Sequence, residues 1–255
     1  METRDASGIG FTCGAWPLDP DKPTLVFVHG SGGSSVLWDA QVDALARRAN
    51  TVALDLPGRG RSGATGMRTI PDYAAAVARF VEAIGAPRAI ACGQSLGGGI
   101  ALQLLLDHPG RFAGGVLIAT GARLRVMPAI LEGITRDYAA HLSNLHLAIS
   151  PRTDRDLLAP VLEANARCPA EVALGDFIAC DAFDVMDRLG EIDLPVLVVS
   201  GEDDQLTPTR YADFLEKNIA GARRAHLSDA GHLIPAEKPA ETDAAIVEFL
   251  DAAGL

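Results

Sequence analysis

Ser95 is the residue of this chain whose type and setting most directly suggest chemistry. It lies in the pentapeptide Gly93-Gln94-Ser95-Leu96-Gly97, after residues 88–92, which predict a short buried strand, and before residues 100–106, which predict a helix. So sharp a reversal would hold the serine in a strained backbone conformation and leave no room for side chains at the flanking glycines. The pattern predicts a nucleophilic serine exposed at the edge of a sheet.

A serine nucleophile requires two further side chains, and the chain offers both. The hydroxyl is weak at neutral pH, so it needs a general base, and the base needs a carboxylate to orient it. Asp204 follows an apolar run that is typical of a buried strand, and His232 follows the next predicted strand. Because loops at the carboxyl ends of parallel strands share one edge of the sheet, we expect both residues to lie near Ser95. Their presence matters because, in a chain with 26 glycines, the pentapeptide alone also arises by chance.

Strand and helix patterns alternate through most of the chain, which predicts an α/β protein. Strands are predicted at residues 24–28, 51–55, 88–92, 115–119, 195–200 and 223–227, with a first strand or hairpin within 8–16. Such alternation implies a mostly parallel sheet with helices on both faces. Between residues 121 and 190 the pattern predicts helices at 126–147, 154–167 and 170–189, without a convincing strand. We therefore expect a core of residues 1–120 and 191–255, with a helical cap, residues 121–190, inserted in it.

Composition narrows the class of protein. The 255 residues are 48% hydrophobic and 22% charged, which fits a globular domain with a sizeable core. The net charge of −11 argues against general nucleic-acid binding, which needs clustered basic residues. Neither a membrane-spanning run nor a signal-peptide pattern is recognisable, so we expect a cytoplasmic protein without a membrane partner. The four cysteines lack metal-ligand spacing, and buried free thiols are the favoured interpretation.

Five motifs in a fixed order resemble those of the α/β-hydrolase superfamily, in particular its capped branch of carboxylesterases and 3-oxoadipate enol-lactonases. They are His29-Gly30, the segment Asp55-Leu56-Pro57-Gly58-Arg59-Gly60-Arg61-Ser62, the pentapeptide around Ser95, the acid loop before Pro208 and Gly231-His232. The order serine, acid, histidine is that of the family. The resemblance extends over nearly the whole chain and implies the α/β-hydrolase fold.

The resemblance also implies roles for individual residues. Counted from the glycine and proline that flank the acid loop, the acid is Asp204, and Asp203 is the alternative. The oxyanion hole would use the backbone amides of Leu96 and Ser31, with Gly32 as the alternate for the second. No metal or organic cofactor is implied.

The function implied is that of a serine hydrolase, which cleaves a small-molecule carboxylic ester or lactone through an acyl-enzyme intermediate. Three alternatives stay open: a carbon–carbon bond hydrolase of a dienone acid, a cofactor-free haloperoxidase or perhydrolase, and a ligand-binding receptor on a hydrolase fold. Assays with the respective substrates separate the enzymes, and covalent labelling of Ser95 separates them from a receptor. The sequence leaves monomer and homodimer equally open.

The cap is expected to set substrate specificity, while the sheet supplies the chemistry. Candidate pocket residues are the apolar side chains Ile130, Ile134, Tyr138, Phe177 and Phe183. Each of them is equally consistent with packing between cap helices.

Overall fold

One mixed sheet forms the centre of the computed structural model, which describes residues 1–63 and 65–255, apart from the side chain of His146. Its eight strands are β1 (Glu2–Ala6), β2 (Ile9–Cys13), β3 (Thr24–Val28), β4 (Asn50–Leu54), β5 (Ala89–Gln94), β6 (Phe112–Ile118), β7 (Val196–Gly201) and β8 (Arg223–Leu227). The strand order is β1-β2-β4-β3-β5-β6-β7-β8. The hairpin of β1 and β2 is antiparallel to its neighbours and the other strands are parallel. The carboxyl ends of β3 to β8 therefore meet along one edge.

Helices cover both faces of this sheet. They are α1 (Asp39–Ala44), α2 (Ile70–Ala83), α3 (Leu96–Asp107), α4 (Pro128–Arg136), α5 (Tyr138–Ser143), α6 (Ala159–Ala166), α7 (Ala170–Ala182), α8 (Arg210–Asn218), α9 (Ile234–Glu237) and α10 (Pro239–Ala253). Helices α2, α3 and α8 pack into one hydrophobic core, through residues such as Val77 and Leu215. Helices α1 and α10 pack into a second core on the other face, through Val42 and Ile246. The predicted fold class is confirmed.

The segment between β6 and β7 carries helices α4 to α7 and short 3-10 turns, and we refer to its residues 121–190 as the cap. A single β-bridge between Arg123 and Asp184 joins the two ends of the cap. The long helical pattern at its start is divided at Asp137, which follows the end of α4 and caps α5 by accepting a hydrogen bond from the amide of Ala140 at 3.0 Å. The cap thus leaves the sheet and returns to it at neighbouring positions.

The four cysteines are buried, and none of them is paired. Burial raises the pKa of the Cys180 thiol to about 12, so this thiol is protonated at neutral pH. Within the described part of the chain, no helix has the length and apolar character that crossing a bilayer requires.

Candidate active site

Ser95 lies in a strained turn between β5 and α3. Its φ of 55° and ψ of −118° are unusual for a residue with a side chain. A Cβ on Gly97 would overlap the carbonyl oxygen of Val28 in β3, and a Cβ on Gly93 would overlap the carbonyl of Gly97. The turn therefore requires glycine at both flanking positions, as the sequence predicts, and it holds a half-buried serine at the carboxyl edge of the sheet.

The start of α3 surrounds Ser95 with backbone dipoles. The Ser95 carbonyl accepts hydrogen bonds from the amides of Gly98 at 2.9 Å and Gly99 at 3.1 Å. It also accepts one from the Thr120 hydroxyl at 2.8 Å. The amide of Leu96 belongs to the first turn of the helix, where amides have no intrahelical acceptor and carry the positive end of the helix dipole. An anion that forms on a group bound to Ser95 would meet this end.

Asp204 and His232 are in direct contact at the same edge. Nδ1 of His232 lies 2.9 Å from Oδ2 and 3.1 Å from Oδ1 of Asp204. The neighbouring carboxylate of Asp203 instead accepts a hydrogen bond from the Ser150 hydroxyl at 2.6 Å. Of the two carboxylates that the sequence leaves in competition, the structure places Asp204 against the imidazole.

The Asp204 carboxylate is held in its ionised form. Burial alone would raise its pKa, but the charge and hydrogen bond of His232 outweigh burial, together with hydrogen bonds from Thr207, and the pKa falls well below its usual range. The amides of Leu206 and Thr207 donate to Oδ1 at 2.9 Å, and the Thr207 hydroxyl donates to Oδ2 at 2.6 Å. The ionised carboxylate can only accept a hydrogen bond from Nδ1 of His232. The proton of the neutral imidazole therefore lies on Nδ1, and Nε2 is left able to accept a proton.

The side chain of Gln94 links the serine turn to the histidine loop. Its Nε2 donates a hydrogen bond to the carbonyl oxygen of His232 at 2.8 Å. Gln94 immediately precedes Ser95, so the backbone of the nucleophile candidate and that of the base candidate are joined through one buried side chain. A Cβ on Gly30 would overlap Oε1 of Gln94 and lie 3.1 Å from Cβ of Ser95, so the loop after β3 also closes on this turn.

One of the two amides that were predicted as candidates in the loop after β3 is bound by the cap. The amide of Gly32 donates to Oδ2 of Asp176 in the cap at 2.8 Å, and this contact removes Gly32 as an oxyanion donor. The alternate prediction for Gly32 is therefore wrong, because a cap carboxylate occupies its N–H. The hydroxyl oxygen of Ser31 lies 3.6 Å from Sγ of Cys180, and the role of its amide in the oxyanion hole stays a prediction.

His29 supports this loop and is committed to backbone contacts. Its Nδ1 donates to the carbonyl of Gly30 at 2.8 Å, and its Nε2 accepts from the amide of Leu56 at 3.0 Å. Burial, with a smaller contribution from the charge of Arg59, lowers the pKa of His29 to about 4. A neutral imidazole with both nitrogens hydrogen-bonded to the backbone supports the conformation of the loop.

Glu237 organises the loop that carries His232, and no sequence pattern indicates this role. This buried carboxylate accepts hydrogen bonds from the amides of Gly231, Leu233 and Ser150 at 2.9, 2.8 and 2.9 Å. It also accepts one from the Thr153 hydroxyl at 2.8 Å. An acidic residue in a short helix five positions after a histidine has no periodic signal that would reveal such a role.

The predicted pocket residues of the cap fall into two groups. Ile134 and Phe183 are buried, with 2% and 4% of their surface exposed, whereas Ile130, Tyr138 and Phe177 are half-buried. Phe183 belongs to the core that α2 and α3 share, and its ring would lie 3.3 Å from a Cβ on Gly99. Phe183 is thus mainly a packing residue between cap and core, and Phe177 is a better candidate for a pocket wall.

Comparisons with known proteins agree with this geometry. The profile of the alpha/beta hydrolase family matches residues 25–245. A pimeloyl-[acyl-carrier protein] methyl ester esterase of Neisseria meningitidis serogroup B is 32% identical over 229 residues, which cover 84% of this chain and 87% of that protein. A putative carbamate hydrolase, RutD, of Caulobacter segnis is 28% identical over 272 residues, and the match covers 99% of this chain and 100% of that one.

The fold is also similar to that of a solved enol-lactonase from Burkholderia xenovorans LB400. The two share a TM-score of 0.87 at 24% sequence identity, with 98% of this chain and 100% of that chain covered. The family profile covers most of the sheet and all of the loops that meet at its carboxyl edge. The chain therefore belongs to the alpha/beta hydrolase family.

Proposed function

We propose that this protein is a serine hydrolase that cleaves a carboxylic ester or lactone through an acyl-enzyme intermediate. The observation that carries the proposal is the 2.9 Å contact between Asp204 and His232, at the sheet edge where the strained turn presents Ser95. A buried carboxylate that is hydrogen-bonded to a buried imidazole, next to a serine in a strained turn, is suited to proton transfer. The similarity to an esterase at 32% identity supports an ester as the substrate.

In the first step, Oγ of Ser95 attacks the substrate carbonyl carbon while its proton passes to Nε2 of His232. The carbonyl π electrons move to the oxygen, which becomes an oxyanion near the amides of Leu96 and Ser31. Asp204 accepts the Nδ1 hydrogen bond throughout and stabilises the imidazolium that forms. Donors of this kind contribute about 3–4 kcal/mol each to transition-state stabilisation in serine hydrolases.

In the second step, the tetrahedral species collapses and the bond from carbon to the leaving oxygen breaks. His232 returns its proton to that oxygen, so the alcohol departs neutral and Ser95 carries the acyl group. Water then attacks the acyl carbon while His232 takes its proton. The bond from this carbon to Oγ of Ser95 breaks, His232 returns the proton to Oγ, and the acid is released. In a lactone, the alcohol and the acid are parts of one product molecule.

A hydrolysis screen tests this proposal. The purified protein is assayed with p-nitrophenyl esters of increasing chain length, with lactones and with dienone acids, and Ser95→Ala serves as the control. We expect saturable ester or lactone hydrolysis that the Ser95→Ala variant lacks. Turnover confined to dienone acids would contradict ester hydrolysis as the function and favour carbon–carbon bond cleavage.

A further inference from the structure

One face of the cap helix α7 rests on the loop that is proposed to hold the oxyanion. Asp176 and Cys180, one helical turn apart, contact Gly32 and Ser31 respectively. Ala173, about one turn earlier, has its Cβ 4.0 Å from the position that a Cβ on Gly32 would take. Positions three or four residues apart share a face of a helix. The cap therefore contacts the loop through a continuous strip of α7.

The loop itself is a tight turn with two amides in its middle. The amide of Gly33 donates to the carbonyl of Gly30 at 3.1 Å, which closes a four-residue turn, and Gly32 has a φ of 66°. In such a turn the amides of the second and third residues take no part in the closing hydrogen bond. The third amide, that of Gly32, is bound by Asp176. The second is that of Ser31, the predicted oxyanion donor.

Asp176 is itself fixed by two side chains of the core. Nη2 and Nη1 of Arg59 donate to its Oδ1 and Oδ2 at 2.8 and 2.5 Å, and the Tyr73 hydroxyl donates to Oδ1 at 2.6 Å. Arg59 and Asp176 expose 2% and 0% of their side chains. Three segments, the loop after β4, helix α2 and the cap, thus converge on one carboxylate beside the oxyanion loop.

Stability alone does not account for this arrangement. A buried ion pair gains little over an apolar pair of similar volume, because desolvation offsets the attraction between the charges. Asp176 is also the only charged residue between Val172 and Cys180, in an otherwise apolar helical run. A charged acceptor has one property that an apolar side chain lacks, because it binds the Gly32 amide and so sets the plane of the peptide between Ser31 and Gly32. This peptide meets the one that carries the Ser31 N–H at Cα of Ser31, so fixing the first restricts the orientation of the second.

We propose that Asp176 is a positioning residue for the oxyanion hole, acting through Gly32 on the orientation of the Ser31 amide. The proposal rests on the proposed serine hydrolase function. It makes the cap a part of the catalytic apparatus, because without α7 the turn would lose the contact that orients it. The role of Arg59 and Tyr73 is then to hold the carboxylate in place.

The test compares two variants in a background where the charge pair is absent. Arg59→Met with Asp176→Asn leaves no unpaired buried charge and keeps a side-chain oxygen that can accept the Gly32 amide. Arg59→Met with Asp176→Leu is similar in shape but has no acceptor. Asp181→Asn is the matched control, since Asp181 also lies in α7 but accepts the amide of Val126 within the cap, at 3.0 Å.

The readouts are kcat and KM for p-nitrophenyl butyrate and the inhibition constant of phenylboronic acid, which mimics the tetrahedral intermediate. The kcat values are normalised to the concentration of active sites, which is titrated to completion with a fluorophosphonate. We expect kcat of the Leu variant to be about 10² lower than that of the Asn variant, with KM within about threefold. Boronate affinity should fall in parallel, and Asp181→Asn should match the wild type.

Equal kcat values in the two folded double variants would overturn the proposal. If the Leu variant fails to fold, Arg59→Met with Asp176→Ala replaces it, because alanine also lacks the acceptor and cannot crowd the loop; the same loss is expected. A wild-type protein that neither hydrolyses esters nor reacts at Ser95 would instead contradict the proposed function itself, whatever the variants at position 176 do.

Discussion

Asp203 and Asp204 are adjacent in sequence, yet only one of them is placed to act on the imidazole. Asp204 contacts His232, while Asp203 accepts a hydrogen bond from Ser150 and lies 3.9 Å from the exposed Arg152. The two carboxylates therefore make a matched pair for substitution, because they share a loop and differ in their partners.

We expect Asp204→Asn to lower kcat by roughly three to four orders of magnitude, because the imidazole would lose the acceptor that fixes its tautomer. Asp203→Asn should lower kcat by less than about threefold, since it keeps an oxygen for Ser150. Steady-state assays with one ester at saturation measure both. A larger loss from Asp203→Asn would show that the acid has been assigned to the wrong residue.

Glu237 provides a second test at the residue scale. In Glu237→Gln one oxygen becomes an amide donor that faces backbone N–H groups, so the loop around His232 should shift. We expect kcat to fall about tenfold and Tm to fall by about 2–8 °C, which corresponds to about 1–3 kcal/mol for an unsatisfied buried group. Glu241→Gln, at an exposed position of α10, is the control. Unchanged kcat in a folded Glu237→Gln protein would contradict this role.

The site residues that are easiest to predict from the sequence are those whose neighbours in the chain indicate where they lie. The glycines around Ser95 reveal its turn, and the strands before Asp204 and His232 reveal the edge where they meet. Asp176 binds an amide 144 residues away in the chain, which its neighbours in sequence do not reveal. Glu237 joins the nearby amides of Gly231 and Leu233 to that of Ser150, 87 residues away, and no local pattern records this combination. A single charge within the apolar run of α7 was the one signal that could have identified Asp176.

At the scale of elements, the cap is tied to all three loops of the candidate site. Asp176 binds the oxyanion loop, Ser150 binds Asp203 in the acid loop, and the carbonyl of Ala148 accepts the amide of His232 at 2.7 Å. The expectation that the cap sets specificity while the sheet alone supplies chemistry stays a prediction, and these contacts argue against a clean separation. Cap substitutions that break them should also lower kcat.

Phe177 and Phe183, both in the cap, should respond differently to alanine. Phe177 is half-buried and its ring packs edge-on against His141 with centroids 5.6 Å apart, whereas Phe183 lies in the core. We expect Phe177→Ala to change the preferred ester chain length with a small change in Tm. Phe183→Ala should cost about 3–5 kcal/mol of stability. The measurements are a chain-length profile and thermal unfolding; the reverse pattern would make Phe183 the pocket wall.

Strand positions were predicted closely because buried parallel strands read as short apolar runs. The predicted strand at residues 24–28 coincides with β3, which is buried along its whole length. The helices of the cap were harder to predict. Residues 126–147 have the pattern of one helix, but Asp137 and a 3-10 turn interrupt it. Such breaks depend on capping and on packing between helices, which periodicity does not record.

At the scale of the whole molecule, stability should depend on pH through Asp243 on α10. Burial raises its pKa to about 6, against a hydrogen bond from Gln41 at 3.1 Å. Since this folded pKa lies above the unfolded value of 3.8, the resulting stabilisation is complete below about pH 3.8 and is lost as pH rises through about 6. At neutral pH the charge on this half-buried carboxylate lowers the stability of the folded protein.

Asp243→Asn should therefore raise Tm at pH 8 by about 2–4 °C. This corresponds to about 1 kcal/mol in a chain of this size, less than the pKa shift alone would give, because solvent screens this half-buried carboxylate. The gain should shrink towards zero at pH 4, where the native carboxyl is protonated and resembles the amide. Thermal unfolding at the two pH values measures this, and Glu248→Gln at an exposed position of the same helix is the control. A gain that is equal at both pH values would contradict titration of Asp243 as its cause.

The central claim, that Ser95 is the nucleophile, is tested most directly by covalent labelling. The wild-type protein and Ser95→Ala are incubated with a small fluorophosphonate and analysed by intact-mass and peptide mass spectrometry. We predict one adduct per wild-type chain, on Ser95, and none on Ser95→Ala, whose hydrolysis falls by several orders of magnitude while its Tm changes little. An adduct on another residue, or a Ser95→Ala protein that is still active, would contradict the account.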